Sequence, residues 1–164
     1  MKTKPSLNQL SVLFDKYFLI IWRVFFRIKM KVTGNLRPGS YPYVSGDSFR
    51  ALADYIHDET GTFDPKLVNA GDIVFVSNPL VFSYFKTVHP QIKNPYILVE
   101  HNGDNSIDKS VANLLDEKII RFYAQDVVCA HEKIIPIPIG LENLHYHING
   151  IPSLFNWYRR RIAK

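Results

Sequence analysis

Apolar residues near the start of the chain recur at alternating four- and three-residue steps: Phe14, Phe18, Ile21, Phe25, Ile28 and Val32. That spacing sets all six along one side of an α-helix, and Pro5-Ser6 supplies a start for it. Lys16, Arg23, Arg27 and Lys31 fall nearly opposite, with Tyr17 and Trp22 on the flanks. The longest clean apolar run, Tyr17 to Trp22, stops at Arg23, well short of the roughly 20 residues a spanning helix needs. Arg27, Lys29 and Lys31 also stand where a signal peptide would carry small residues before its cleavage site. Two readings of this basic amphipathic helix stay open. Either it packs its stripe on the rest of the protein, or it lies through residues 7–32 in an anionic membrane surface, aromatics inserted and cations toward the headgroups.

From Tyr41 onward short apolar runs alternate with helical stretches, the signature of βαβ units. The runs are Tyr41 to Val44, a short edge strand, then Ile73 to Val76, Tyr96 to Val99, Ile119 to Tyr123 and Ile134 to Ile139. Such continuous apolar strands suit a parallel sheet buried on both faces. Between them, Asp47 or Ser48 caps a helix with Phe49, Leu52, Ala53 and Ile56 on one face, ending near Asp58. Pro79 opens a helix carrying Val81, Phe82 and Phe85, and Ser106 or Asp108 starts one through Val111, Leu114 and Leu115. Pro152 begins a last amphipathic segment, either a helix or an extended arm. The pattern predicts an α/β, Rossmann-like parallel sheet flanked by helices over residues 41–150, preceded by the helix of residues 1–40 and followed by a basic segment, 151–164.

The net charge of +5 is unevenly placed. Residues 1–40 hold eight Lys and Arg against the single acid Asp15, and residues 151–164 add Arg159, Arg160, Arg161 and Lys164 with no acid. The middle is acidic, so the body offers no basic, aromatic stripe for nucleic acid. The single cysteine, Cys129, rules out an internal disulfide framework and makes a reducing cytoplasm the expected compartment. On the membrane reading the protein is peripheral at the inner face. Val127, Val128 and Ala130 around Cys129 point to a buried thiol rather than a nucleophile.

In open α/β sheets ligands bind beyond the carboxyl ends of the strands. Four polar clusters follow the predicted strands: Ser45-Gly46-Asp47-Ser48, Ser77-Asn78, His101 to Ser106, and Gly140 to Asn143. The His101 cluster is the densest, and its histidine, carboxylate and amides suit sugar hydroxyls. Turn chemistry competes as an explanation, with Gly103 making a turn and Asp104 or Ser106 capping the next helix. Ile134-Pro-Ile-Pro-Ile-Gly lacks two amide donors and fits an edge strand or a strand entering a cleft, with Glu142 just beyond as a base or hydroxyl acceptor. His145 and His147 have no Cys or carboxylate at ligand spacing, so no metal is expected and both read as exposed. Phosphate-loop, dinucleotide and nucleophile-elbow motifs are absent from the sequence, which gives no support to a nucleotide cradle, a bound cofactor or a serine hydrolase.

The ordered segments Gly46-Asp-Ser-Phe-Arg-Ala-Leu-Ala-Asp54, Gly71-Asp-Ile-Val-Phe-Val76, Asn94-Pro-Tyr-Ile-Leu-Val-Glu-His-Asn-Gly-Asp104, Ala124-Gln125 and Lys133-Ile-Ile-Pro-Ile-Pro-Ile-Gly-Leu-Glu-Asn143 together resemble exostosin-like glycosyltransferases, over roughly residues 41–150. The resemblance implies one half of a GT-B-type architecture, the amino-terminal half that receives the acceptor, while a second Rossmann-like half binds the nucleotide sugar. It implies a role in polysaccharide biosynthesis and, for inverting members, no metal. It makes Asn102, Gly103, Gln125, Gly140 and Asn143 walls of the cleft, with Asp104 and Glu142 as candidate general bases and His101 beside them. Asp126 after Ala-Gln and Leu144 after Glu-Asn depart from the pattern. After Pro152 only a short basic segment follows, so the donor half is expected from a partner chain. Three functions are thus in view. One is a glycosyltransferase half acting on a glycan or lipid-linked acceptor. Another is a non-catalytic carbohydrate- or membrane-surface-binding protein, and the third a small enzyme of another class. An exposed apolar patch where the missing half would dock favours the first and a closed polar surface there the second, while the third predicts a deep pocket enclosing His101, Asp104 or Glu142 and at least one strongly shifted carboxyl or imidazole pKa.

Overall fold

The computed structural model describes residues 7–145 and 150–162. Five strands form one parallel sheet whose spatial order is the order of the chain: β1 Tyr55–His57, β2 Ile73–Ser77, β3 Tyr96–His101, β4 Ile119–Ala124 and β5 Ile134–Pro136. The helices are α1 Leu7–Thr33, α2 Gly46–Arg50, α3 Val81–Thr87, α4 Lys109–Ala112 and α5 Pro152–Ile162. The alternating pattern therefore gives the expected α/β, Rossmann-like sheet. Strand order never reverses among the described strands, so the crevice that a doubly wound sheet opens at its switch point is not formed by this sheet alone.

Side chains alternate across each strand. Val74 and Val76, Tyr96 and Leu98, Phe122 and Ala124 point to one face, where they meet Val81, Tyr84 and Phe85 of α3 and Val111 and Ala112 of α4 in a continuous core. Phe75 and Val99, also buried, point the other way. α3 follows a short 3-10 turn with Pro79 at its start, and α4 is capped by Asp108, whose carboxylate accepts from Ser110 N at 2.8 Å. Asp108 rather than Asp104 or Ser106 thus ends the His101 loop. Cys129 is half-buried against the core, with its Sγ 3.5 Å from Ile107 O.

Three expectations are corrected. Tyr41 to Val44 is no strand, because Tyr43 N donates to Ser40 O at 2.9 Å and closes a turn. The edge strand is Tyr55–His57, where a helix was expected to run on to Asp58. α2 stops after five residues, Leu52 is exposed, and the β-prone Tyr-Ile-His segment pairs with Val74, Phe75 and Val76. The open edge of β2 offers backbone partners that a short helix cannot match. β5 is an edge strand as expected, but it ends at Pro136, since Pro136 and Pro138 have no amide hydrogen to donate. α1 and α5 are helices as the periodicity indicates, although Pro5-Ser6 lies outside the described residues. Of the stripe on α1, Ile21, Phe25, Ile28 and Val32 are all exposed. It is Phe18 that meets Trp157 of α5, ring centroids 5.4 Å apart, and Phe26 and Met30 that line a groove of about 440 Å3 with Pro38, Leu144 and Pro152. The side chains of Phe14, Lys16, Trp22 and Arg23 lie outside the described residues.

At the amino end of the sheet a polar chain crosses the core. Tyr84 OH donates to Tyr96 OH at 2.6 Å, and Tyr96 OH lies 2.7 Å from His89 Nδ1. His89 Nε2 stands 3.1 Å from Asp116 Oδ2. Burial lowers the pKa of His89, with Asp116 pulling against it, and burial raises that of Tyr84. Tyr96→Phe leaves two buried partners unsatisfied and is expected to cost about 1–3 kcal/mol, measured as a lower urea midpoint at an unchanged m-value.

Candidate functional site

β2, β3 and β4 deliver Ser77-Asn78, His101-Asn102-Gly103 and Gln125-Asp126 to the carboxyl edge of the sheet. The segment after β5 returns to the same edge. Leu141 bridges Ser45, with Leu141 N donating to Val44 O at 2.8 Å. All four polar clusters of the sequence therefore meet at one end of the sheet.

Asp47 ties them together. Ser45 caps α2, its hydroxyl accepting from Ser48 N, and this leaves the Asp47 side chain free to point inward, where it is fully buried. Oδ1 accepts from Arg37 Nε at 3.0 Å and Nη2 at 2.7 Å, while Oδ2 is 2.8 Å from His145 Nδ1. The Asp47 amide donates to Asn143 Oδ1 at 2.7 Å, and Asn143 Nδ2 donates to Asn102 Oδ1 at 2.7 Å. Arg37 also reaches Asp58 Oδ2 at 2.9 Å and Glu59, and Arg50 Nε holds Asp58 from the other side at 2.7 Å. Burial works against the Arg37 charge, but the hydrogen bond and charge of Asp47 and the neighbouring Glu59 and Asp58 hold its pKa above the ordinary value.

The loop after β3 is shaped by two close approaches. Asn102 sits in the left-handed region at φ 68, which asparagine tolerates better than most residues. Gly103 lies against Asn78, where a Cβ would come within 2.5 Å of Oδ1. Asn78 then clamps the loop, Nδ2 donating to Asn105 O at 2.8 Å and Oδ1 accepting from Asn105 N at 2.9 Å. Gln125 grips it from β4, donating to Gly103 O and accepting from Asn102 N. Gly46 brings α2 onto this loop, since a Cβ there would overlap the Asn102 amide.

His101 is buried, stacked on Phe49 with centroids 5.4 Å apart. Its Nε2 is 3.3 Å from Pro138 O. Burial lowers its pKa more than these contacts raise it, so the ring is neutral at pH 7. Glu100, on the core side of β3, is 0% exposed. One carboxyl oxygen accepts from Gln125 N at 3.1 Å, and the other has no hydrogen-bond partner among the described residues. Burial pushes its pKa up to about 7, with Asn78 and the Gln125 amide pulling only partly back.

The edge thus has a floor and a rim. His101, Asn102, Gln125 and Asn143 are brought together in the floor, with Gly103 half-buried beside them. Asp104, Gly140 and Glu142 stand exposed on the rim. Gly140 has φ 75 and abuts Val44 O. His145 was expected to be exposed; it is half-buried because Asp47 holds it. His147 lies outside the described residues, among which no group of three or more His, Cys, Asp or Glu side chains is disposed to hold a metal. Arg37, Asn78, Glu100 and the Asp47–His145 pair carry the floor, yet sequence reasoning gave them no such role. Asp47 stood in a polar cluster, but nothing in spacing couples it to partners 10 and 98 positions away.

Two outcomes are expected. Gly46→Ala drives its Cβ into Asn102 and lowers the melting temperature, with loss of the amide signals of residues 101–105 from their native positions. Glu100 has its folded pKa raised, so its contribution to stability is complete below its unfolded value of about 4.3 and is lost as the pH climbs through about 7. The melting temperature of Glu100→Gln should therefore fall less than that of the native chain between about pH 5 and 8. No family model, curated protein or solved structure matches the chain, and the chemistry of this edge is the ground on which a function rests.

Proposed function

We propose that this domain is the acceptor-side half of a glycosyltransferase, of GT-B type and acting in polysaccharide biosynthesis. It would transfer a sugar from a nucleotide-sugar donor to a glycan or lipid-linked acceptor at a cytoplasmic membrane face. The observation that carries the reading is the division of the edge into a rigid amide floor and a rim with two exposed carboxylates, Asp104 and Glu142. A hydroxyl-rich acceptor needs fixed donors and acceptors together with one accessible base. The rim carboxylate takes the proton of the attacking hydroxyl. The acceptor oxygen bonds the anomeric carbon as the bond to the diphosphate breaks, and the diphosphate leaves with that electron pair, steadied by groups of a donor-binding half. His101, neutral and packed on Phe49, acts here as a positioning residue that sets the Asn102–Asp104 turn.

Exposed Val44 and Ile139 flank Gly140, which touches Val44. An apolar patch beside the rim is where a donor half would dock, and it favours this reading over a free-standing binding module.

Calorimetry with UDP- and GDP-sugars, beside an array of neutral and acidic oligosaccharides, tests the proposal. At least one oligosaccharide should bind, about tenfold more weakly to Asp104→Asn or Glu142→Gln, while nucleotide sugars do not bind tightly. A nucleotide sugar held near micromolar, worth about −8 kcal/mol, would mean that the domain has its own donor site and the reading is wrong.

A further inference from the structure

We propose that α1 is an interfacial helix that seats the protein on an anionic lipid surface through the face turned away from the domain. The other side of the helix faces the domain, with Phe18 against Trp157 and with Phe26 and Met30 lining the groove shared with Pro38 and Pro152. The outward side carries Ile21, Val24, Phe25, Ile28 and Val32, exposed by 52–81%. At 100° per residue these, with Tyr17 and Ile20, span about 140° of the circumference. The sheet already has its own closed core, so this stripe is surplus to folding. No helix among the described residues is long and apolar enough to cross a membrane, which leaves lying in the surface as the way for such a face to meet lipid.

Charge identifies the occupant. Arg27 borders the stripe on one side and Lys29 on the other, with Lys31 just inside its edge between Ile20 and Val24, all exposed. From Lys16 to Gly46 the sequence contains no acid. α5, in contact with α1 through Trp157, adds exposed Arg159 and Arg160 and no acid of its own. A second copy docked on the same face would set these cations against their equivalents, whereas an anionic headgroup layer neutralises them and takes up the apolar stripe in the same contact. Lysine and arginine stems at the border can lie along the interface with their charges in the headgroups.

Sedimentation of the full chain with vesicles of phosphatidylcholine, alone or mixed with phosphatidylglycerol, tests this. The native chain should partition onto the mixed vesicles and only weakly onto the neutral ones, and added salt should weaken the binding. Arg27→Glu with Lys31→Glu should lower partitioning by about tenfold or more. Ile21→Ser with Ile28→Ser should lower it comparably while the melting temperature stays native, because both side chains are exposed. Undiminished binding by the serine variant would overturn the proposal, since attraction would then be charge alone. So would a native chain that ignores both vesicles and sediments as a dimer which the serine substitutions dissociate. The outcome is independent of whether the carboxyl edge of the sheet binds sugar.

Discussion

Asp47 is a carboxylate at 0% exposure, and the floor of the carboxyl edge depends on Arg37 being buried with it. Removing one partner of such a pair strands the other charge, typically at about 3–5 kcal/mol. The pair does more than neutralise itself. Through its amide Asp47 fixes Asn143, through Oδ2 it fixes His145, and Asn143 passes the constraint to Asn102. Chain segments that start at residues 37, 47, 102 and 143 are thereby locked at one point, at the place where the parallel strands end.

That lock explains why the edge is rigid below and open above. The polar groups of the floor are largely consumed by one another, so a ligand at this edge would meet the rim, where Asp104 and Glu142 are exposed. A sheet whose order never reverses cannot make a switch-point crevice by itself; a complete cleft needs a second surface facing the rim. The apolar residues near Gly140 and the outward stripe of α1 are separate surfaces. The first adjoins the site, and the second faces away from the domain and carries its own basic border.

Much of this was legible in the sequence. Four of the five strands follow from continuous apolar runs after turn signals, and the long spacing of Phe14 to Val32 announced α1. Local pattern failed where tertiary partners decided. Tyr55–His57 has too few residues for its strand character to outweigh the helical spacing of Phe49, Leu52 and Ile56, and only the free edge of β2 settles the matter. The rim carboxylates stood out because they lie in the polar segments that come after apolar runs. The floor did not, because a buried Arg37–Asp47 pair and a buried Glu100 look in sequence like ordinary surface charges. Burial of charge is a property of contacts between distant segments, and periodicity carries no trace of it.

On the proposed function, sugar recognition belongs to the carboxyl edge. Amide chemical-shift mapping of the isotope-labelled chain, titrated with the oligosaccharide array and with UDP- and GDP-sugars, addresses it directly. Shifts confined to the loops 101–106 and 140–143 and to Gln125 are expected with an oligosaccharide, and none there with a nucleotide sugar. Shifts in the groove between α1 and α5 instead, or a nucleotide sugar that saturates the edge, would contradict it.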